Sequence, residues 1–264
     1  MSFLRINGYV LPVVDGGAHV SRSAIGDATR TYSGAWTSTI RATKRRIEVE
    51  TPPLAAALAD ALVGLVMGRG HVWHFNDATN WQYSTKGLGK SAGSGSSLAS
   101  GKFGRGVRIA AGGSLTWATE LPTDYTLMVW YYTSGAWHHY IVRSDAAKWV
   151  DGVRNDAAST PFLSVSSGST VLGDTGAAGN QDFDDLVALP YLVHADMATT
   201  WGVAAAAFSD LSTLNVSGDV FFTSTNITMR WDQAASVDEE ILQAVIDGTF
   251  TAAARRVSFA LEET

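Results

Sequence analysis

The sequence predicts a mainly β protein in which a discontinuous, β-rich base domain with two helices carries an inserted jelly-roll sandwich. Three observations lead there. Between residues 102 and 201, short runs rich in Val, Ile, Leu, Tyr and Trp recur at regular spacing with turn residues between them, the pattern of an all-β sandwich or jelly roll. Residues 76–101 turn abruptly to Ser, Gly, Asn and Thr, as a linker does. The tail, residues 207–264, repeats the strand, helix, strand order of residues 40–75, yet is too short to build a core alone. The expected boundaries are therefore 1–75 and 207–264 for the two halves of the base, with 76–206 inserted between them.

Composition narrows the chemistry. The chain has 264 residues, 46% of them apolar, with 26 glycines against 6 prolines, which suits a large core joined by many tight turns. No cysteine is present, so disulfides, thiolate zinc sites and cysteine nucleophiles are excluded. The histidines at 19, 71, 74, 138, 139 and 194 show no HExxH spacing. Arg5 and Asn7 interrupt the first apolar run before it reaches the length of a secretory signal. The longest apolar stretch, residues 54–67, falls short of the ~20 residues that cross a bilayer. Folding in a cytoplasm, without membrane insertion, is the expectation.

Charge is spread unevenly. Residues 1–75 carry eight Lys/Arg against five Asp/Glu, whereas residues 207–264 carry three against nine. A basic beginning and an acidic end attract one another within one chain or between neighbours.

In chain order, the stretch from Phe3 to Val10 reads as a hairpin turning at Asn7-Gly8, and Thr31 to Trp36 with Ser38 to Glu50 reads as two further strands. Arg41, Lys44, Arg45 and Arg46 cluster there. With no interleaved aromatics and an acidic total charge, they read as a solvated face or a protein interface, and no nucleic acid is expected. Thr51-Pro52-Pro53 opens a helix with Thr51 as its cap. Leu54, Leu58, Leu62, Leu65 and Val66 fall on one stripe of that helix, Gly68-Arg69-Gly70 ends it, and residues 72–75 form a strand that completes the first half of the base.

The piece Gly87-Leu88-Gly89-Lys90-Ser91 has a Gly-Lys-Ser core, but neither Thr85 nor Ser84, four and five residues before Gly89, is the glycine a phosphate loop needs, and no helical pattern follows; nucleotide binding is rejected. Beyond the inserted region, residues 214–222 and 226–231 read as strands. Ser236 to Glu239 forms a capping box before Ile241, Leu242, Val245 and Ile246, predicting a second helix stopped by Gly248. Residues 256–262 alternate as the last strand.

The inserted region carries a series of motifs in order: Gly101-Lys102-Phe103-Gly104, Tyr125-Thr126-Leu127-Met128-Val129-Trp130, Trp137-His138-His139-Tyr140, Trp149-Val150-Asp151-Gly152-Val153 and Gln181-Asp182-Phe183-Asp184-Asp185-Leu186. This series resembles the laminin-G-like members of the concanavalin A-like lectin and glucanase superfamily, over about half the chain. The resemblance implies a jelly roll, and the fold serves lectins, glycosidases, spacers and adhesion modules alike.

Site residues follow from these readings. Glycosidases of this superfamily need two carboxylates, and this half of the chain has the single glutamate Glu120, so no catalytic residue is assigned. Asp182, Asp184 and Asp185 are calcium-type ligands, but strand alternation puts Asp182 and Asp184 on one face and Asp185 on the other. No metal and no cofactor are expected; Asp182 and Asp184 are the pair from which a metal site would have to start. Trp81, Tyr83 and Trp149 are the candidates for stacking on sugar rings.

The flanking halves supply a second resemblance. Ile6-Asn7-Gly8-Tyr9-Val10-Leu11-Pro12, the stretch from Tyr32 to Arg46, and Arg255 to Glu263 are similar to distal-tail or baseplate proteins of tailed bacteriophages. That family implies a virion protein, assembled in the host cytoplasm, forming a homo-oligomeric ring with other tail proteins and displaying a lectin-like domain toward a host glycan. Arg41, Lys44, Arg45, Arg46, Glu262 and Glu263 are then the interface candidates. The alternative is a carbohydrate-binding module without a structural role.

Overall fold

The computed structural model describes all residues except 1, 8, 15–16, 160, 174–178, 196–197, 200–210, 212, 219–226, 234–235, 243–244, 247–248 and 251–253. Strands dominate, and the chain divides into two compact units, Met1–Ala59 with Ser212–Thr264, and Asp60–Leu211.

The first unit is an antiparallel sheet woven from both ends of the chain. Its strands run in the order Tyr9–Val13, Ser2–Ile6, Thr213–Gly218, Ile227–Trp231, Ala254–Glu263, Trp36–Glu50, Ala18–Arg30. Alternation is visible where the sheet buries one face: Ile47 and Val49 are buried around exposed Glu48, and Ile227 and Met229 around exposed Thr228. The hairpin expected at residues 7–8 forms, with Ile6 paired to Tyr9 and Asn7 at a φ of 48°. The last strand, Ala254–Glu263, pairs along its length with Trp36–Glu50, Leu54–Ala55, Ile227–Trp231 and Asp238–Leu242.

Two local expectations change in this unit. Residues 238–242 form a strand and not the second helix, because pairing with residues 254–258 completes the edge of the last strand; tertiary hydrogen bonding outweighs a local capping signal. Gly248, the expected stop, lies outside the described residues. Thr51 does not cap a helix: its backbone N donates to Val257 O at 3.0 Å and its hydroxyl accepts from Val257 N at 3.0 Å. Pro52 and Pro53 explain this, since a residue before proline is pushed into an extended conformation. The helix begins later, at Ala56–Val66, and is buried on nearly every side from Ala61 onward, so its pattern is broader than one apolar stripe.

The second unit is a ten-stranded antiparallel sheet that folds over on itself. Strand Gln181–Leu189 pairs with Thr126–Thr133 on one side and, on the other, with Arg105–Trp117 and then His71–Trp73. By that register Trp73 and Trp117 lie about 13 residues apart along one line, ~40 Å in a flat sheet. Their ring centroids are 5.0 Å apart. Strand Arg105–Trp117 must therefore bend back, and it does so around Gly112, whose φ is 72°. The companion strand Ala92–Ser100 shifts register between Ser94 and Ser96, with Gly95 at a φ of 64°. Strands that change layer through bulges make the corners of a sandwich.

The core between the layers gathers Trp73, Phe75, Val107, Ile109, Trp117 and Phe183 with their neighbours. His71–Trp73 thus belongs to this sheet and not to the base. Residues 76–101 are not a linker either. Trp73 Nε1 donates to Leu88 O at 3.3 Å and Trp117 Nε1 to Gln82 O at 3.1 Å. Glycine is needed at position 93, where a Cβ would meet Ser114 O at 2.7 Å.

Truncating the ring at the fold-back tests this packing. Trp117→Ala should cost the sandwich about 3–5 kcal/mol and Leu261→Ala should cost the other unit about 2–5 kcal/mol. Urea unfolding followed by tryptophan fluorescence should show each variant shifting one transition while leaving the other in place.

Candidate functional site

Two faces of the large layer have different fates. Inward-facing Val107, Val129, Tyr131, Tyr140 and Phe183 enter the core. On the opposite face, cross-strand pairing aligns His139, Trp130 and Asp184 in one row, and Trp137, Tyr132, Asp182, Arg108 and Ser97 in the next.

The first row is covered. Phe103 N donates to Asp184 Oδ2 at 2.9 Å, Lys102 Nζ sits 3.9 Å from the Trp130 ring centroid, and Phe103 meets Trp130 edge-on at 5.7 Å. Gly101 is required here, since a Cβ would come within 2.5 Å of Asp184 Oδ2. Under this covering, burial pushes the His139 imidazole down to about 3 and the Asp184 carboxyl up to about 6. Neutral forms are what a low-dielectric site favours.

The second row is open. Tyr132 is 41% exposed and Trp137 half-buried, their ring centroids 5.5 Å apart. Beside them Arg108 grips Asp182 with both prongs, Nε to Oδ1 at 2.6 Å and Nη2 to Oδ2 at 2.8 Å. Two of its five N–H groups are spent there. At strand spacing the row extends ~19 Å across five strands. It presents two aromatic rings, a fixed guanidinium and the Ser97 hydroxyl, which is exposed.

The sugar-stacking candidates lie elsewhere. Trp149 is 3% exposed, and guanidinium groups of Arg143 and Arg154 stand 5.4 and 5.8 Å from its ring; no face is left for a sugar. Trp81 packs against the core rim with Phe75 at 6.5 Å and Lys90 Nζ at 5.4 Å. Tyr83 is exposed and lies over Gly89. The structure does not unite these three rings into one surface.

The carboxylates also depart from simple alternation. Asp184 and Asp185 are both fully buried, and a bulge between Asp184 and Val187, with Asp185 at a φ of 43°, interrupts the alternation there. Asp185 Oδ1 lies 2.7 Å from His74 Nδ1, while Asp182 is held by Arg108. Among the described residues no group of three or more His, Cys, Asp or Glu could hold a metal ion.

The basic cluster is engaged within its own chain. Arg45 donates from Nε and Nη2 to Glu263, each at 3.0 Å, and its backbone N also donates to that carboxylate. These bonds hold the Glu263 carboxyl below its ordinary range. Arg46 donates to Asp232 at 2.8 Å and pairs with Glu48, and stands across from Glu262 in the sheet. Lys44 is half-buried, and the side chain of Arg41 lies outside the described residues. Surface pairs of this kind are worth about 0.2–1 kcal/mol each; they set which strands meet more than how stable the sheet is.

No family model matches the chain, and no curated protein matches it. Among solved structures, the receptor-binding domain of botulinum neurotoxin type G aligns at 8% identity and a TM-score of 0.34, covering 65% of this chain and 75% of the toxin domain. An HCR/D mutant aligns at 8% identity and a TM-score of 0.36, covering 72% and 79%. A botulinum neurotoxin type C structure, described by the dependence of its cell entry on two ganglioside molecules, aligns at 8% identity and a TM-score of 0.21, covering 95% and 71%. Scores this low establish no shared fold, and no ligand passes from these toxins to this chain.

The covered row sets a pH signature. The unfolded chain protonates His139 near 6.5 and the folded chain near 3, so this group destabilises the fold as pH drops below 6.5. Asp184 acts in the opposite sense: its folded carboxyl takes a proton near 6 and its unfolded one near 3.8, so its contribution is lost as pH rises through that window. Relative to the unaltered chain, His139→Gln should gain stability between pH 6.5 and 4, by up to about 1.4 kcal/mol per pH unit. Asp184→Asn should gain between pH 4 and 6. Urea midpoints measured across that range check both, and a pH-independent difference for His139→Gln would contradict a buried neutral imidazole.

Proposed function

We propose that this chain is a non-catalytic carbohydrate-binding protein whose sandwich unit presents the Trp137, Tyr132, Asp182 and Arg108 row to a glycan. The observation that carries this reading is the pairing of exposed Tyr132 and half-buried Trp137 with a guanidinium held by Asp182 on one sheet face. Pyranose rings stack their C–H faces on aromatic surfaces while hydroxyls take hydrogen bonds at the rim, and ligand sites in general combine apolar lining with few fixed polar groups. Sheet-borne side chains hold such geometry better than loop-borne ones.

A second reading is favoured by the interleaved first unit and its resemblance in sequence to tail proteins: a structural component of a phage tail, with the sandwich displayed on a base that contacts other tail proteins. In that setting the glycan belongs to the host surface and the location is the virion. Immunogold electron microscopy of tailed particles with an antibody against the chain tests this directly; gold at the tail supports it, and particles without label remove it.

For the glycan reading, a printed panel of neutral and acidic oligosaccharides should yield binders. Tyr132→Ala or Trp137→Ala should weaken binding of the best of them at least tenfold by titration calorimetry, consistent with losing about 1.4 kcal/mol or more. Tyr83→Ala should leave it unchanged. An empty panel, or binding indifferent to both ring deletions, would falsify the assignment.

A further inference from the structure

In the open row Arg108 and Asp182 act as one unit. Arg108 Nε donates to Asp182 Oδ1 at 2.6 Å and Nη2 to Oδ2 at 2.8 Å, so the side of the guanidinium that would grip a ligand carboxylate in a fork is already filled. Three N–H groups on its outer edge remain. The Arg108 side chain is 49% exposed and that of Asp182 16%, which leaves that edge and the unused lone pairs of the carboxylate within reach of a ligand. The pair offers donors and acceptors side by side with no net charge.

Its surroundings preserve that balance. The other members of the row, Trp137, Tyr132 and Ser97, are uncharged. Lys102, in the neighbouring covered row, holds its ammonium over Trp130 at 3.9 Å. Two positions along from Ser97 and Arg108 stand Ala99 and Ala110, whose methyls share the same side by strand alternation and are shorter than the guanidinium they flank. Tyr132 and Arg108 are two strands apart in the row, ~10 Å, so a sugar stacked on Tyr132 leaves the charged pair to a neighbouring residue of the same oligosaccharide.

We infer that the row selects neutral oligosaccharides: adjacent hydroxyls of one sugar accept from the free N–H edge of Arg108 and donate to Asp182, while sugars carrying a carboxylate or sulfate are rejected. This selectivity rests on the glycan reading above and adds to it the chemical class of the ligand. A hydroxyl both donates and accepts, so two of them satisfy both partners. An anionic group has no proton for Asp182, whose lone pairs it would leave desolvated and unpaired, and it meets a guanidinium whose charge is already offset. Discrimination then comes from the repelling carboxylate as much as from attraction.

The oligosaccharide panel, read for the unaltered chain and for Asp182→Asn, provides the test. Neutral members should bind the unaltered chain in preference to their carboxylate-bearing or sulfated counterparts, and that binding should be insensitive to salt. Asp182→Asn removes the repelling charge and frees the guanidinium: affinity for the acidic members should rise at least ~tenfold while that for the best neutral binder falls ~threefold or more. Arg108→Gln added to Asp182→Asn should abolish the acidic gain, with circular dichroism unchanged throughout. The unaltered chain alone can overturn the selectivity, if its strongest binders are acidic and salt-sensitive. An acidic gain absent from Asp182→Asn, or one that survives the loss of Arg108, overturns it equally. In each of these cases, weakening by Tyr132→Ala leaves the glycan site itself in place, whereas a panel without binders removes site and selectivity together.

Discussion

Contact between Trp73 and Trp117 across a folded-back strand is the constraint on which the sandwich depends. Burying two indole rings against each other removes a large apolar area from water, and it is possible only if strand Arg105–Trp117 reverses within its own length. Glycine at the bend and a register shift in the neighbouring strand supply that reversal. Once the sheet has closed on its core, the reverse face of the larger layer is left to be covered or used. The segment around Lys102 and Phe103 covers half of what matters there, burying Trp130, His139 and Asp184. The row at Tyr132 and Trp137 remains open because the covering stops one residue pair short of it.

The base unit is governed by a different economy. Its sheet sets strands from the C-terminal end between strands from the N-terminal end, and the final strand, Ala254–Glu263, pairs with four others. Arg45 clasping Glu263, and Arg46 reaching Asp232, tie the first fifty residues to the last thirty-five. The opposite charges of the two ends are thus consumed, at these positions, inside one molecule.

Much of the strand content was legible in the sequence. The runs at 126–132, 137–144, 162–165 and 183–191 are apolar, aromatic and punctuated by turns, and they overlap strands Thr126–Thr133, Ala136–Arg143, Phe162–Ser166 and Gln181–Leu189 of the sandwich. Other features were not legible, for reasons that recur. Ser236 to Glu239 has the side chains of a helix cap, but the last strand offered residues 238–242 a complete set of hydrogen bonds. Residues 76–101 have the composition of a flexible tether, yet residues 92–100 pair with the bent strand and Gly93 lies too close to it for a side chain. Asp184 and Asp185 are both buried beside a bulge, Asp184 beneath Phe103 and Asp185 against His74, and a bulge leaves little trace in an alternating pattern.

What the sequence by itself determined is the class of the protein: β-rich, free of disulfides, its two ends of opposite charge. Periodicity and composition are local properties, and they survive without knowledge of partners. Tertiary structure alone decided which aromatic rings face water. Trp149 and Tyr132 sit in equally apolar runs; the first is enclosed by Arg143 and Arg154, while the second lies at the margin of a covering segment that comes from thirty residues earlier in the chain. Exposure is set by what packs from elsewhere, and residues that meet only through strand register, such as Arg108 and Asp182, become a site only when the sheet has formed.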